Sequence, residues 1–472
     1  MTLEQGKKNP LRRSVCIAAL RGGSGKTILS LGITAAWKNK GNRVAVFKKG
    51  PDFIDPGWLC LAGDGSCYNL DPFLMKEEQI ITSFLDHSEG ADISVIEGNR
   101  GIFDGMDIDG CSSTAELAKL LFAPVIILLD VTMSTRTVAA ILKGLEVFDT
   151  DLCIGGVILN RVAGARQETL IRKCIERYCD TPVLGAIPRL KENLFPERHM
   201  GLVPYQEREH SMKAISWAEK IVKDHIDLDE IWDISCRKDP LMDMTKRYAA
   251  RPAGSKIDEP LDIGIIRDRS FWFYYPENLD ELKRMGGRII EMNALSDPEI
   301  ARIDALYIGG GFPETQAAKL SANSSFRDSL KEAIEKGLPV YAECGGFMYL
   351  GEDLVVDGTS YPMVGALPVS FTLRKRPQGH GYTILEVDKE NPYYEKGFIL
   401  KGHEFHYSEP TITDTEKARF VFSVKRGGGV HGDREGMCRK NVLATYSHVH
   451  AAGNPFWAKS IIRQAMEYKR KR

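Results

Sequence analysis

The 472-residue sequence predicts an α/β protein with two domains. Short runs rich in Val and Ile alternate with segments of helical character in both halves, which is typical of parallel sheets. A glycine-rich loop separates the first run from the first predicted helix. A polar segment with Pro and Gly breakers interrupts the alternation at 236–260. We therefore predict a linker at 236–260 between domains at 1–235 and 261–472.

The first domain is predicted to contain a parallel sheet with helices on both faces. Its predicted strands are residues 15–20, 44–48, 93–97, 124–130 and 154–160, with a helix at 28–37 after the first strand. Functional residues of such sheets lie beyond the carboxyl ends of the strands. The polar residues at or just past these ends are Asp52, Glu97, Asp130 and Asn160. This edge of the sheet is the candidate site of the first domain.

The glycine-rich loop has the composition of a phosphate-binding loop (P-loop). It consists of Arg21, Gly22, Gly23, Ser24, Gly25, Lys26 and Thr27. Successive glycines let backbone N–H groups face phosphate oxygens, and the next helix offers its amino end to the same charge. We expect Lys26 to reach the β- and γ-phosphates of ATP and Thr27 to face Mg²⁺. Leu20 replaces the first glycine of the full pattern, and a glycine-rich turn without a ligand is the alternative.

Acidic residues after the second and third strands complete the predicted nucleotide site. Mg²⁺ takes one or two carboxylates together with phosphate oxygens and water. We therefore predict Asp52 and Glu97 as magnesium ligands beside Thr27. Asp104, seven residues after Glu97, either holds the acceptor substrate or caps a turn.

The second domain is predicted to be a separate α/β unit with a thiol site. Its predicted strands are 261–267, 288–292, 305–309, 339–343 and 442–446, and residues 364–422 are rich in β character. Cys344 follows a strand and precedes two glycines, as in a nucleophile elbow, where the start of a helix favours thiolate. A thiol needs a base, and His448 is the candidate. A buried structural cysteine is the alternative.

Backbone N–H groups near Cys344 are candidates for an oxyanion hole. They belong to Gly310 or Gly311 and to Gly345. Many glutaminases have glutamate two residues after the base, but here that residue is His450. What orients His448 is therefore open. His403 and His406 form a further cluster, for which metal binding, a glutamine pocket and a structural hydrogen-bond network are the alternatives.

Charge, apolar content and cysteine spacing limit which partners and which cellular location the sequence favours. The formal net charge of −1 gives the whole chain no attraction to nucleic acid or anionic lipid. No apolar stretch is long enough to span a bilayer, and the first residues lack a secretory signal. The ten cysteines show no Cys-x-x-Cys pair, so we expect reduced, mostly buried thiols and a cytoplasmic location.

Motifs in both domains resemble those of the cobyrinate a,c-diamide synthase family. They lie at residues 50–56, 97–105, 156–162, 309–314, 342–350, 402–408 and 446–450. They occur in the family's order and cover nearly the whole chain. The resemblance implies a first domain similar to dethiobiotin synthetase and a second domain like class I glutamine amidotransferases.

The resemblance also implies a reaction. ATP and Mg²⁺ activate side-chain carboxylates of a tetrapyrrole as acyl phosphates, and ammonia from glutamine converts the c and a acetates into amides. Asn160 then resembles an adenine-reading asparagine, while Asp104 and Arg100 are candidates for substrate contacts. The motifs do not separate three acceptors, namely cobyrinate, nickel-sirohydrochlorin and sirohaem.

Two other classes of protein share part of this pattern. A partitioning or assembly-type P-loop ATPase also has a basic residue where Arg21 stands and acts as a dimer, but it leaves Cys344 unexplained. A tetrapyrrole carrier without activity disagrees with the intact Lys26, Cys344 and His448. The sequence does not fix the oligomeric state, and a homodimer is compatible with it.

Overall fold

The computed structural model describes residues 12–190, 194–195, 197–198, 201–202, 208–236 and 260–472. The chain divides into two compact units, Met1–Arg251 and Pro252–Arg472. Apart from its first and last residues, the predicted linker at 236–260 lies outside the described residues. Within the described ranges, no helix has both the length and the apolar composition needed to cross a membrane.

The first unit alternates strands and helices along the chain. Its strands are β1 Ser14–Ala19, β2 Val44–Lys49, β3 Cys67–Leu70, β4 Ile93–Glu97, β5 Val125–Asp130, β6 Ile154–Val162, β7 Val183–Pro188, β8 Glu197–Arg198 and β9 Gly201–Leu202. Its helices are α1 Lys26–Asn39, α2 Ile54–Gly63, α3 Glu77–His87, α4 Thr114–Leu120, α5 Arg136–Phe148, α6 Ala165–Tyr178, α7 Arg208–His225 and α8 Leu228–Ile234.

Seven of these strands form one parallel sheet, as predicted. The order is β3-β2-β4-β1-β5-β6-β7. All residues of the central strand β1 are buried. Because alternate side chains of a strand point to opposite faces, both faces of the sheet are covered there. The five predicted strands are confirmed within two residues at each end, whereas β3 and β7 were not predicted.

Helix α1 packs closely against α7 at a glycine. A Cβ atom on Gly32 would lie 2.5 Å from the carbonyl oxygen of Ala218, so no larger residue fits without a shift of backbone. Trp37 near the end of α1 meets Trp232 of α8 edge to face at 5.6 Å. These contacts fix the helix that begins at Lys26, directly after the glycine-rich loop.

The second unit starts with alternating elements and ends in a β-rich region. Its strands are β10 Leu261–Ile266, β11 Phe271–Phe273, β12 Gly287–Met292, β13 Ala305–Ile308, β14 Gly310–Gly311, β15 Val340–Glu343, β16 Asp353–Val356, β17 Thr359–Pro362, β18 Val369–Leu373, β19 Gly379–Val387, β20 Ile399–His406, β21 Ser408–Ile412, β22 Phe420–Arg426, β23 Arg434–Arg439, β24 Val442–Thr445 and β25 His448–Val449. Its α-helices are α9 Pro276–Arg284, α10 Ala317–Ala322, α11 Ser324–Glu335, α12 Gly345–Leu350 and α13 Phe456–Lys471, and a 3-10 turn spans Pro313–Gln316.

Ten strands of this unit form one mixed sheet. The order is β12-β10-β13-β15-β24-β23-β22-β19-β20-β25. The first five strands are parallel, and each later neighbour is antiparallel. A four-stranded sheet, β17-β16-β18-β21, lies apart from it. The prediction of a parallel part followed by a β-rich part is confirmed.

The ten cysteines are all free, as predicted. The expectation that most are buried is wrong. Only Cys16, Cys67, Cys344 and Cys438 are buried, while Cys111 is exposed and the rest are half-buried.

Candidate functional sites

The glycine-rich loop bends between β1 and α1 through two glycines in the left-handed region. Gly23 has φ 69° and Gly25 has φ 95°, conformations that residues with a Cβ atom rarely adopt. The Lys26 ammonium donates hydrogen bonds to the carbonyls of Arg21 at 3.1 Å and Arg100 at 2.8 Å. Burial, followed by the charge of Lys48, lowers the pKa of Lys26. The loop therefore presents a partly desolvated cation that would gain from an anionic ligand.

A cluster of carboxylates lies directly beside this loop. The hydroxyl of Thr27 donates to Glu97 Oε1 at 2.9 Å and lies 3.4 Å from Asp55 Oδ2. The buried Lys48 ammonium is 2.6 Å from each of these two carboxylates. The structure thus brings together the predicted residues Thr27 and Glu97 and adds Lys48 and Asp55 to them.

Asp52 lies at the margin of the carboxylate cluster. Its Oδ1 accepts the N–H of Ile54 at 3.0 Å, at the start of α2, and its Oδ2 is 3.7 Å from Lys48. Burial and then the charge of Asp55 raise the pKa of Asp52 to about 8. Although burial opposes it, the Lys48 charge holds the pKa of Asp55 below its usual value. Asp55 is therefore the more strongly ionised of the two and lies nearer to Thr27.

The oxygen atoms of this cluster suit a hard cation. Burial raises the pKa of Glu97, and its Oε2 has no hydrogen-bond partner among the described residues. Hydroxyl and carboxylate oxygens are the protein ligands that Mg²⁺ takes, along with phosphate oxygens and water. No group of three or more His, Cys, Asp or Glu residues in the described part of the chain forms a metal site by itself. The donor set therefore fits a magnesium ion that arrives with a nucleotide.

A cavity of about 230 Å³ opens on the other side of the loop. It is lined by Leu20, Arg21, Ser24, Leu128, Asp130 and Thr132. Asn160 donates from Nδ2 to the Ser24 carbonyl at 2.9 Å, so it lies against this side of the loop. Asp130 pairs with Arg161 at 2.8 Å and with Arg21 at 3.6 Å.

The predicted substrate residues lie on the loop after β4. Asp104 accepts the N–H of Gly101 at 2.9 Å through Oδ2, which is the turn-capping role considered for it. Arg100 is exposed and has φ 51°, a left-handed conformation, and its carbonyl binds Lys26.

Lys48 is a functional candidate that sequence reasoning missed. Its pKa lies well above the usual value because the charges of Asp55 and Glu97 outweigh its burial. A lysine inside a predicted parallel strand, where Val and Ile are the rule, was the available signal. An unpaired charge does not persist in such a position, so partners had to lie nearby.

Cys344 occupies the turn between β15 and α12 in a strained conformation. Its φ of 46° is in the left-handed region, and its N–H donates to the Thr445 carbonyl at 2.8 Å. The side chain is buried, with Sγ 3.8 Å from the Phe405 carbonyl. Burial, followed by the charge of Glu314, raises the pKa of the thiol, whereas the Gly345 N–H lowers it. The resting thiol is therefore protonated and needs a base before it can attack.

His448 lies on β25 with one ring nitrogen anchored. Its Nδ1 is 3.4 Å from Glu343 Oε2, and its ring stacks on Phe273 with centroids 4.1 Å apart. Nε2 has no hydrogen-bond partner among the described residues. Burial and then the nearby His406 lower the pKa of His448 to about 3, so the imidazole is neutral near pH 7 and able to accept a proton.

The three predicted oxyanion-hole glycines surround the same place. A Cβ on Gly345 would lie 3.1 Å from the Gly311 nitrogen, so these two backbones touch. A Cβ on Gly310 would lie 2.4 Å from Cε1 of His448. Glycine is thus required here for close approach, and the N–H groups, the imidazole and the thiol turn lie in one neighbourhood.

Three further histidines lie near this site or near His448 in the sequence. His450 Nε2 is 3.4 Å from Glu277 Oε1. His406 stacks on Tyr446 at 3.6 Å, and its Nδ1 is 2.9 Å from the Ser408 carbonyl oxygen. His403 pairs with His448 across the β20–β25 ladder. The His406 contacts agree with the structural-network alternative, whereas Nδ1 of His403 has no hydrogen-bond partner among the described residues.

Comparison with known protein families defines the class of the two units. Residues 15–203 match the model of the CobQ/CobB/MinD/ParA nucleotide binding domain. Residues 262–456 match the model of the CobB/CobQ-like glutamine amidotransferase domain. The chain is therefore a glutamine amidotransferase with a nucleotide-binding domain, and both predicted domain types are confirmed.

Relatives that match along nearly the whole chain give the family. A cobyrinate a,c-diamide synthase from Magnetococcus marinus is 40% identical over 448 residues, which cover 95% of this chain and 96% of that protein. One from Archaeoglobus fulgidus is 39% identical over 459 residues, covering 96% and 98%. One from Listeria innocua is 40% identical over 446 residues, covering 93% and 97%. The chain belongs to the cobyrinate a,c-diamide synthase family, which confirms the resemblance found in its motifs.

Proposed function

We propose that the protein uses ATP and glutamine to amidate the a and c acetates of cobyrinate. The observation that carries this proposal is the match of nearly the whole chain to relatives named for that reaction. The proposal assigns amidation to residues 1–235 and glutamine hydrolysis to residues 261–472, joined by a linker at 236–260. We place the enzyme in the cytoplasm, acting on small molecules without nucleic acid or membrane, and a homodimer is compatible with this proposal.

In the first unit, the glycine-rich loop holds ATP. The loop residues are Gly22, Gly23, Ser24, Gly25, Lys26 and Thr27. Lys26 contacts the transferring phosphate, and its burial supports this role because an anionic ligand would offset the cost of desolvating the ammonium. The cavity beside Ser24 is a suitable place for the nucleoside, where Asn160 reads adenine.

Thr27, Glu97 and Asp52 hold Mg²⁺ in this proposal, with Asp55 as a further candidate from its contact with Thr27. The bound ion would neutralise charge that develops on the phosphates. Asp104 and Arg100 contact the acceptor. The acceptor carboxylate attacks the γ-phosphorus, ADP leaves, and an acyl phosphate forms.

In the second unit, Cys344 attacks the side-chain amide of glutamine. His448 takes the thiol proton and donates it to the departing nitrogen, so ammonia leaves and a glutamyl thioester forms. The N–H groups of Gly310 or Gly311 and of Gly345 bind the oxyanion. Water then releases glutamate. Ammonia attacks the acyl phosphate, and phosphate leaves as the amide forms.

Mass spectrometry of complete reactions tests the acceptor. ATP, Mg²⁺ and glutamine are supplied with cobyrinate, nickel-sirohydrochlorin or sirohaem in separate reactions. Replacement of OH by NH2 lowers the mass by about one unit per carboxylate after ATP-driven activation. We expect two such losses on cobyrinate. Amidation of another macrocycle would change the acceptor, and ATP hydrolysis without any mass change would favour a partitioning-type ATPase.

A further inference from the structure

We propose that Glu343, the residue immediately before the nucleophile, positions His448 in place of the carboxylate that other glutaminases carry two residues after the base. The inference deepens the proposed function and rests on it, since His448 is the base only if Cys344 is the nucleophile. Its basis is the set of contacts around one buried carboxylate.

Glu343 is the last residue of β15, and its side chain reaches β25 at two points. Oε2 lies 3.4 Å from Nδ1 of His448, and Oε1 accepts the N–H of Val449 at 3.1 Å. The Tyr307 hydroxyl, from β13, donates to Oε2 at 3.0 Å. The carboxylate is therefore fixed by its neighbours and in turn fixes both the ring and the backbone that carries it.

This contact decides which nitrogen of His448 can act as the base. A carboxylate that accepts Nδ1–H leaves the lone pair on Nε2, and it stabilises the imidazolium after proton transfer. Nε2 lacks a hydrogen-bond partner among the described residues, which leaves it open to a proton donor. Phe273, stacked on the ring, fixes its plane.

His450 does not supply this function, although it occupies the sequence position of the usual carboxylate. Its Nε2 is directed to Glu277 at 3.4 Å, and its ring packs on Tyr275 with centroids 4.9 Å apart. β25 spans His448–Val449, so His450 lies just beyond the end of the strand and has different neighbours from His448. Each histidine thus has its own carboxylate, and only that of His448 adjoins the nucleophile.

Because Glu343 can be protonated, the contact with His448 should make glutamine hydrolysis depend on pH. Burial raises the pKa of Glu343 to about 8, so the carboxylate form grows as pH rises through that value. Titratable groups that interact with the pair come from several elements and are Tyr274, Tyr307, Tyr341, Cys344, Tyr394, and His403 and His406 on β20. Glutamine hydrolysis by the wild-type protein should therefore rise toward pH 8, and a variant with an amide at this position should lose that part of the profile.

The test compares Glu343→Gln with Glu277→Gln in the full-length protein, with glutamate release measured in the presence of ATP, Mg²⁺ and acceptor. We expect Glu343→Gln to lower kcat about 100-fold or more, since loss of the equivalent carboxylate in serine triads costs about 10⁴-fold. The KM for glutamine should stay within about threefold, because a positioning residue does not touch substrate. Glu277→Gln, the same change beside His450, should keep the wild-type kcat.

Two further measurements separate charge from folding. Glu343→Asp keeps the carboxylate on a shorter side chain and should recover part of the kcat lost in Glu343→Gln. Ammonia-dependent amidation should be unchanged in all three variants. A wild-type kcat and pH profile in Glu343→Gln would overturn the inference, as would a loss in Glu277→Gln instead. Failure of the wild-type protein to amidate with ammonia would instead contradict the proposed function, without bearing on glutamine hydrolysis.

Discussion

The two sites differ in whether buried groups have a partner of opposite charge. Beside the glycine-rich loop, Lys48 and Asp55 are held in their charged forms, since each lies next to an opposite charge. Around the thiol, burial favours the uncharged forms of Cys344, His448 and Glu343. A phosphate and metal site needs fixed charge before its ligands arrive, whereas a covalent site needs charge only during proton transfer. In the proposed mechanism, the first unit therefore has charge in place before its substrates bind, and the second develops charge only during proton transfer.

Removal of the phosphate-facing cation should have the largest effect. In Lys26→Ala, we expect loss of amidation with both glutamine and ammonia, by about 10³-fold or more, because phosphate charge is no longer neutralised during transfer. Amide formation is followed by mass spectrometry. Lys40→Ala, at an exposed lysine paired with Asp229, is the control and should retain activity. Retained ammonia-dependent amidation in Lys26→Ala would show that the loop has another role.

Removal of the thiol should abolish amidation with glutamine but not amidation with free ammonia. Cys344→Ala should stop glutamine-dependent amidation and leave the ammonia-dependent reaction near the wild-type rate, because activation and hydrolysis use separate residues. Cys438→Ala removes another buried thiol and should leave both reactions intact. If Cys344→Ala were inactive with ammonia too, the thiol would be structural or the sites would not be independent.

Lys48→Met tests whether the buried charges beside the glycine-rich loop stabilise the fold through their ion pairs. It leaves Asp55 and Glu97 buried without their cation, and breaking a buried pair costs about 3–5 kcal/mol. We expect a lower melting temperature that Mg²⁺ partly restores, measured by calorimetry with and without the ion. Lys119→Met, at a more exposed pair with Asp149, should change little. An unchanged melting temperature would mean that the carboxylates are protonated and not paired.

Glu435→Gln tests a buried, uncharged carboxyl of the second unit and should have the smallest effect of these changes. Glu435 lies on β23 and accepts hydrogen bonds from Thr445 and Tyr446. Burial raises the pKa of Glu435 from 4.5 to about 7, so the folded state keeps a proton that the unfolded state loses. The stability that this proton contributes is complete below about pH 4.5 and is lost as pH rises toward 7. The amide removes that titration, so the fall in urea stability between pH 5 and about 7 should be shallower than in the wild type. If stability to urea fell with pH equally steeply in the variant and the wild type, another group would be responsible for the pH dependence.

Local patterns predicted much of the fold, because most strands here are buried apolar runs with clear ends. The short β3, with Asn69 within it, lacks such a run and was missed. The loop, Cys344 and His448 could be proposed from the sequence because each stands in a motif with its own chemistry. Lys48 and the Glu343–His448 contact were not found, since they depend on strand neighbours that only the folded sheets bring together.

The backbone at Cys344 has a consequence for how relatives can be compared. A side chain at φ 46° costs about 1–3 kcal/mol, and glycine would relieve that strain. Selection for stability alone would thus replace the cysteine by glycine within a lineage that obtains its nitrogen from free ammonium. A glycine at this position in a homologue would therefore indicate that the turn no longer supplies the proposed nucleophile.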